Sequence, residues 1–350
     1  MKFINHIEPV TPRRAVGCVA DVYAEVRHDF GRVVEPMVMF SPDERLLAAA
    51  WATVRESLMA GQVPRARKEA VAAAVAAGLR CPWCVDAHTT LLYATGASDT
   101  AAAIAADKEL SADDPNAPLV AWAAGTGQLS RQEVPFGAAE EAEYIGTALA
   151  FHFIARVVLV LLDETFLPGG RRTQALLRRA GGLAFGRKAR ADRPSGLSTQ
   201  RLTSRALPHE LRWAASSLPL ATAIAALDHH LETSAHLTEP SRQLVRRVVD
   251  SWRGDPMPLS SGWTTEHTAQ LPADLRAATR LALLTSLAPH QVTGADVAAA
   301  RPALATDAAL VNALAWAAWA AARRIGNGIT QPAIEQPNPN GQHHGTGWGG

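Results

Sequence analysis

Three side chains within one short stretch can do chemistry together: Cys81, Cys84 and His88, in the pattern Cys-x-x-Cys-x-x-x-His, with Glu69 twelve residues before the first cysteine. In a helix, spacings of three and four bring side chains onto one face, so a helix running from Pro82 gathers two thiols and a base at one site. Proline is favoured at the first helical position, where its missing N–H is not needed, and this predicts Cys81 at the N-cap. A thiolate there faces unpaired backbone N–H groups and the positive end of the helix dipole, which lowers its pKa and raises its nucleophilic fraction. Cys84 lies one turn inside, next to His88, which can take its proton. This is the chemistry of a dithiol that attacks, oxidises and closes to a disulfide.

Other uses of the same residues stand beside that one. A zinc site on Cys81, Cys84 and His88 lacks a fourth ligand nearby, and adjacent helical turns rarely offer a closed tetrahedral shell. Covalent haem needs a histidine directly after Cys84, where Val85 stands. A reduced, purely structural cysteine pair is the plainest reading. Asp86 reads as a solvated helix residue and Cys18 as a small buried hydrophobe. His209, His229, His230 and His236 fit no metal spacing, and the tryptophans of the second half read as core.

The elements that must position this site are helical. Val16, Val19, Val22, Val26 and Phe30 recur at helical spacing. Ser41-Pro42-Asp43-Glu44 is a helix start with Ser41 as the N-cap. A helix from Val63-Pro64 to Gly78 carries Glu69, and the Cys-x-x-Cys helix runs to Thr95 and is closed by Gly96. Ala138 to Leu167 reads as a long apolar helix. No convincing run of alternating strands appears, so the fold class is all-α.

Composition bounds the partners and the organisation. Lys and Arg number 34 against 33 Asp and Glu, a balance that gives no reason to expect nucleic acid. Ile145 to Leu162 is the most apolar stretch, but it contains His152 and Arg156 and is marginal for a membrane span; it reads as a buried helix, and no membrane partner is expected. The N-terminal stretch lacks the apolar run of a signal peptide. One Cys-x-x-Cys plus Cys18 is an intracellular pattern, which points to the cytoplasm. Four regions are expected: a redox domain over 1–167, a basic glycine-rich linker over 168–205, a second helical domain over 206–330 and a disordered tail over 331–350. At an offset of 176 residues the second half looks like a worn copy of the first. Pro64, Gly78 and Pro82 meet Pro240, Gly254 and Pro258, while Glu69, Cys81, Cys84 and His88 meet Val245, Met257, Ser260 and Thr264. Turn residues stay and the chemistry is lost, so the second half is expected to be degenerate.

Glu69, Cys81-Pro82-Trp83-Cys84 and His88 together resemble the core motif of the carboxymuconolactone decarboxylase and alkylhydroperoxidase D (AhpD-like) superfamily. The likeness extends through the flanking VPRARKEAVAAAVAAGLRCPWCVDAHTTLLYATG and the upstream SPDERLLAAAWATVRESLMAGQ. The resemblance implies an all-α, AhpD-like fold assembled as a homo-oligomer, and a thiol peroxidase needing no metal or other cofactor. It implies Cys84 as the peroxidatic cysteine, Cys81 as its resolving partner, and His88 and Glu69 as a proton relay. The substrate would be a small hydroperoxide and the reductant a dithiol of the lipoyl or thioredoxin type. The chain departs from the family in having Trp83 before the second cysteine, which makes the site drier, and Arg80 beside Cys81, which would favour its thiolate if it pointed inward. Two alternatives remain: cofactor-free decarboxylase or lactone chemistry, as in superfamily members that use no cysteine pair, and a non-enzymatic redox-sensing dithiol.

Overall fold

Alanine and leucine recur at helical spacing along most of the chain, and the computed structural model, which describes residues 3–129 and 133–330, is built of helices. The first half holds α1 (Gly17–Phe30), α2 (Glu35–Val38), α3 (Glu44–Val54), α4 (Arg65–Gly78), α5 (Pro82–Thr95), α6 (Ser98–Ala105), α7 (Ala117–Gly125) and α8 (Glu141–Leu161). Then come α9 (Arg171–Ala189), α10 (Leu218–Thr233), α11 (Glu239–Ser251), α12 (Trp263–Thr268), α13 (Ala273–Leu287), α14 (Gly294–Ala300) and α15 (Asp307–Thr330). Among the described residues there is no strand, only a bridge between Ile4 and Leu162 that fixes the N-terminal arm to the end of α8. The expected disordered tail, with His343 and His344, lies outside the described residues.

The centre is α8. It is long and apolar enough to cross a membrane by length and composition, but it is buried along nearly its whole length inside the fold. It packs against α4 on one side and α15 on another, and α15 in turn packs on α13. Where α8 carries a charge, the charge is answered: Arg156 donates through Nε to the Ser286 carbonyl on α13 at 2.8 Å. Helix α3 starts two residues later than its sequence suggests. Asp43, not Ser41, is the N-cap, its Oδ1 accepting the N–H groups of Arg45 and Leu46 at 2.9 and 3.1 Å, while the Ser41 hydroxyl accepts from Val10 N–H instead. A buried π-helical turn, Arg55–Met59, ends this helix.

The segment expected as a linker over 168–205 contains α9, a 19-residue helix packed against α5. Its glycines serve packing: a Cβ on Gly182 would stand 2.6 Å from Tyr93 Cβ, so only glycine lets the two helices approach this closely. One hydrophobic core runs through both halves of the chain, from Ile7 to Ala322. Residues 1–167 and 206–330 therefore share an interior. Helix α10 packs on α3 and α15 on α8.

Candidate active site

Helices α4 and α5 form a tight hairpin whose turn sets the geometry of the site. The end of α4 is closed by Leu79, Arg80 and Cys81, whose N–H groups bond back to Val75, Ala77 and Ala76, with Arg80 in the left-handed region at φ 53°. That conformation sends the Arg80 side chain to the exterior, so it does not point inward to Cys81. Cys81 is the N-cap of α5 with Pro82 behind it, and Gly96, at φ 97°, ends the helix. Both boundaries fall where the sequence indicated.

The hairpin brings together all four residues singled out from the sequence. Cys81 Sγ lies 2.7 Å from Cys84 Sγ, both as free thiols in the interior. Across the hairpin, Glu69 Oε2 lies 2.7 Å from His88 Nδ1, with Glu69 fully enclosed. The Arg65 guanidinium and the His88 hydrogen bond hold the Glu69 carboxyl below its usual range, although its burial works the other way. An ionised carboxylate only accepts, so Nδ1 carries the ring proton and Nε2 is the basic nitrogen. His88 shares one helix face with Cys84 at i+4, and its ring sits edge-on to Phe151 at 4.3 Å between centroids.

Burial, reinforced by the neighbouring Cys81, pushes the Cys84 thiol well above its ordinary value. Unaided it would stay protonated at neutral pH and be a poor nucleophile.

Cys84 and His88 open onto a cavity of about 150 Å³ walled mainly by apolar side chains: Phe30, Trp83, Phe151, Phe166 and Phe185 among them. Trp83 is held by Phe3 and Phe166, at 5.4 and 4.8 Å between centroids. Four of these five rings come from segments remote from the motif, and local spacing could not have found them. Asp86 is not solvated. It is 3% exposed and accepts from Arg178 Nε at 3.0 Å, from Arg178 Nη2 and from the Thr165 hydroxyl. This clamp fastens α9 over α5. Arg65, whose Nε is 3.0 Å from Glu69 Oε1, was also missed, though its i−4 spacing to Glu69 is visible in the sequence. Cys18, half-buried rather than buried, stands apart with Sγ near the Glu44 carbonyl.

A buried dithiol at a helix N-terminus, with a histidine and carboxylate across an all-helical hairpin, defines a class, and the comparisons agree with it. The model of the carboxymuconolactone decarboxylase family matches residues 45–126, which contain Glu69, Cys81, Cys84 and His88. The chain belongs to the carboxymuconolactone decarboxylase and alkylhydroperoxidase D superfamily. It is similar to a Mycobacterium tuberculosis (strain ATCC 25618 / H37Rv) protein named alkyl hydroperoxide reductase, with 67% identity over 344 residues that cover 97% of this chain and all of that protein.

Proposed function

We propose that this protein reduces organic hydroperoxides through a Cys81–Cys84 disulfide cycle. The observation that carries the reading is Cys84 on the wall of an apolar cavity, with a second thiol 2.7 Å away and a His88–Glu69 pair beside it. His88 Nε2 takes the Cys84 proton, and the thiolate attacks one peroxide oxygen. The S–O bond forms, the O–O bond breaks, and the leaving alkoxide takes the proton back from His88 and departs as an alcohol. Cys84 is then a sulfenic acid. Cys81 attacks its sulfur, the S–S bond forms, and hydroxide leaves as water with the Cys81 proton. A dithiol of the lipoyl or thioredoxin type returns two electrons and two protons.

The aromatic walls favour an alkyl or aryl hydroperoxide over hydrogen peroxide, which would find few hydrogen-bond partners there. A dithiol kept reduced suits the cytoplasm, where we place the cycle. The printed name of the mycobacterial relative supports the same reaction. Decarboxylase or lactone chemistry would leave the thiol pair without a role. The test is thiol titration of the reduced protein before and after a stoichiometric dose of an organic hydroperoxide. Loss of two thiols in the wild type, absent in Cys84→Ser, is expected; thiols that stay unreacted in the wild type would overturn the reading.

A further inference from the structure

Arg65 is a poor stabiliser for so buried a cation. Its side chain is 8% exposed and its Nε bonds Glu69 at 3.0 Å, but Nη1 and Nη2 are buried without a partner. A buried guanidinium that leaves two nitrogens unsatisfied weighs against stability, and an ion pair so placed is weak evidence of a folding role. Its guanidinium carbon lies 5.7 Å from the centre of the Phe30 ring, and Phe30 also walls the cavity in front of Cys84.

The groups around Glu69 give this arginine something else to do. Those that act most on Glu69 are Arg65 from its own helix and His88 from α5, with a weaker pull from Lys68. Lys68, its neighbour in the chain, is committed to Glu143 of α8 and the Ala60 carbonyl. Arg55 and Glu56 of the π-helical turn pair with each other, and Arg55 also with Asp29. Helix α6 offers only Asp99, which is exposed, and α7 has no titratable group. Arg65 takes one carboxylate oxygen of Glu69 and His88 takes the other.

We propose that Arg65 is a positioning residue for the thiol chemistry: by holding Oε1 it leaves Oε2 to accept the His88 Nδ1–H, so that Nε2 is the basic nitrogen of a histidine that shares a helix face and a cavity wall with Cys84. Its consequence for turnover rests on the hydroperoxide reading, but its effect on the thiol does not. Without Arg65 the enclosed carboxyl would take up a proton at higher pH, because burial favours its neutral form. A protonated Glu69 no longer fixes the tautomer of His88. The acid limb of Cys84 reactivity then moves to higher pH.

The test uses the full chain in a Cys18→Ser/Cys81→Ser background, where Cys84 is the remaining thiol, and follows its alkylation by iodoacetamide as a function of pH. Arg65→Met is expected to slow alkylation at pH 7 about tenfold, the effect of roughly one pKa unit, and to move the acid limb upward. Arg65→Lys should recover most of the rate. In a Glu69→Gln background, Arg65→Met should change nothing further, because the carboxylate it positions is gone. Should Arg65→Met fail to fold, Arg65→Gln keeps a donor without the charge and is expected to show the same shift. A profile that overlays the background, or a loss that adds to that of Glu69→Gln, would overturn the assignment. If the profiles shift as expected while the wild type consumes no hydroperoxide, the hydroperoxide reading fails and the role of Arg65 stands.

Discussion

The hairpin α4–α5 and the stretch that stands 176 residues further on, α11 with the chain leading to α12, differ sharply in their side chains. In the first hairpin, Arg65, Glu69 and His88 form a chain of buried polar contacts behind Cys84. At an offset of 176 residues the same places hold Ser241, Val245, Thr264 and Ser260. Val245 is fully buried on the apolar face of α11, whereas Ser260 is exposed and the neighbouring Leu259 is 99% exposed. Helix α5 has fourteen residues and lies under α9; α12 has six, and residues 252–262 before it form no helix. Pro256 and Pro258 help to explain this, since proline removes an intrahelical donor and restricts the residue before it. A helix-packing frame can persist on apolar faces alone, whereas a reactive thiol needs specific polar neighbours. We read the second half as a degenerate repeat that supplies frame without chemistry.

The comparison breaks first at the base. His88→Ala is expected to slow peroxide-driven loss of the two thiols by about 10² to 10⁴-fold, the usual reach of general acid–base catalysis, and to lower the melting temperature as well, because the enclosed Glu69 carboxylate loses one of its partners. Stopped-flow measurement of the reaction with an organic hydroperoxide checks this, and an unchanged rate would remove the relay from the mechanism. Next comes the clamp that the second half lacks. Asp86→Ala leaves Arg178 buried without its partner, which costs about 3–5 kcal/mol, and it should release α9 from α5. Urea unfolding and limited proteolysis within 171–189 would report both effects, whereas a stability equal to wild type would mean that α9 is held by packing alone. Finally, Val245→Glu puts a carboxyl at the place of Glu69 with Ser241 and Thr264 at the places of Arg65 and His88. It should lower stability by roughly 1–3 kcal/mol, the cost of an unsatisfied buried polar group, and add no thiol reactivity. A variant as stable as the wild type would mean that the second hairpin can also house an acid.

Helical periodicity and the chemistry of turns were open to reading without coordinates. The motif spacing placed Cys81, Cys84 and His88 on one face, and Pro82 and Gly96 marked the ends of their helix, because caps and periodicity depend on near neighbours. The segment over 168–205 contains a helix that its composition did not announce, because glycines that signal a flexible linker in isolation are what a close helix–helix contact also requires, and the Tyr93 side chain facing Gly182 lies 89 residues away in the chain. Asp86 reads as solvated until Arg178 is folded against it.

The sequence by itself determined the all-helical class, the dithiol with its histidine and the distance at which Glu69 could serve it, since each of these rests on contacts a few helical turns long. Only the tertiary structure decided that Glu69 meets His88, that Arg65 stands behind it, that five aromatic rings wall the space before Cys84, and that α9 closes over α5. Those contacts join residues whose separation along the chain carries no local signal. They form because packing α4, α5 and α9 together leaves these polar groups little water, so their partners must come from whichever helix lies against them.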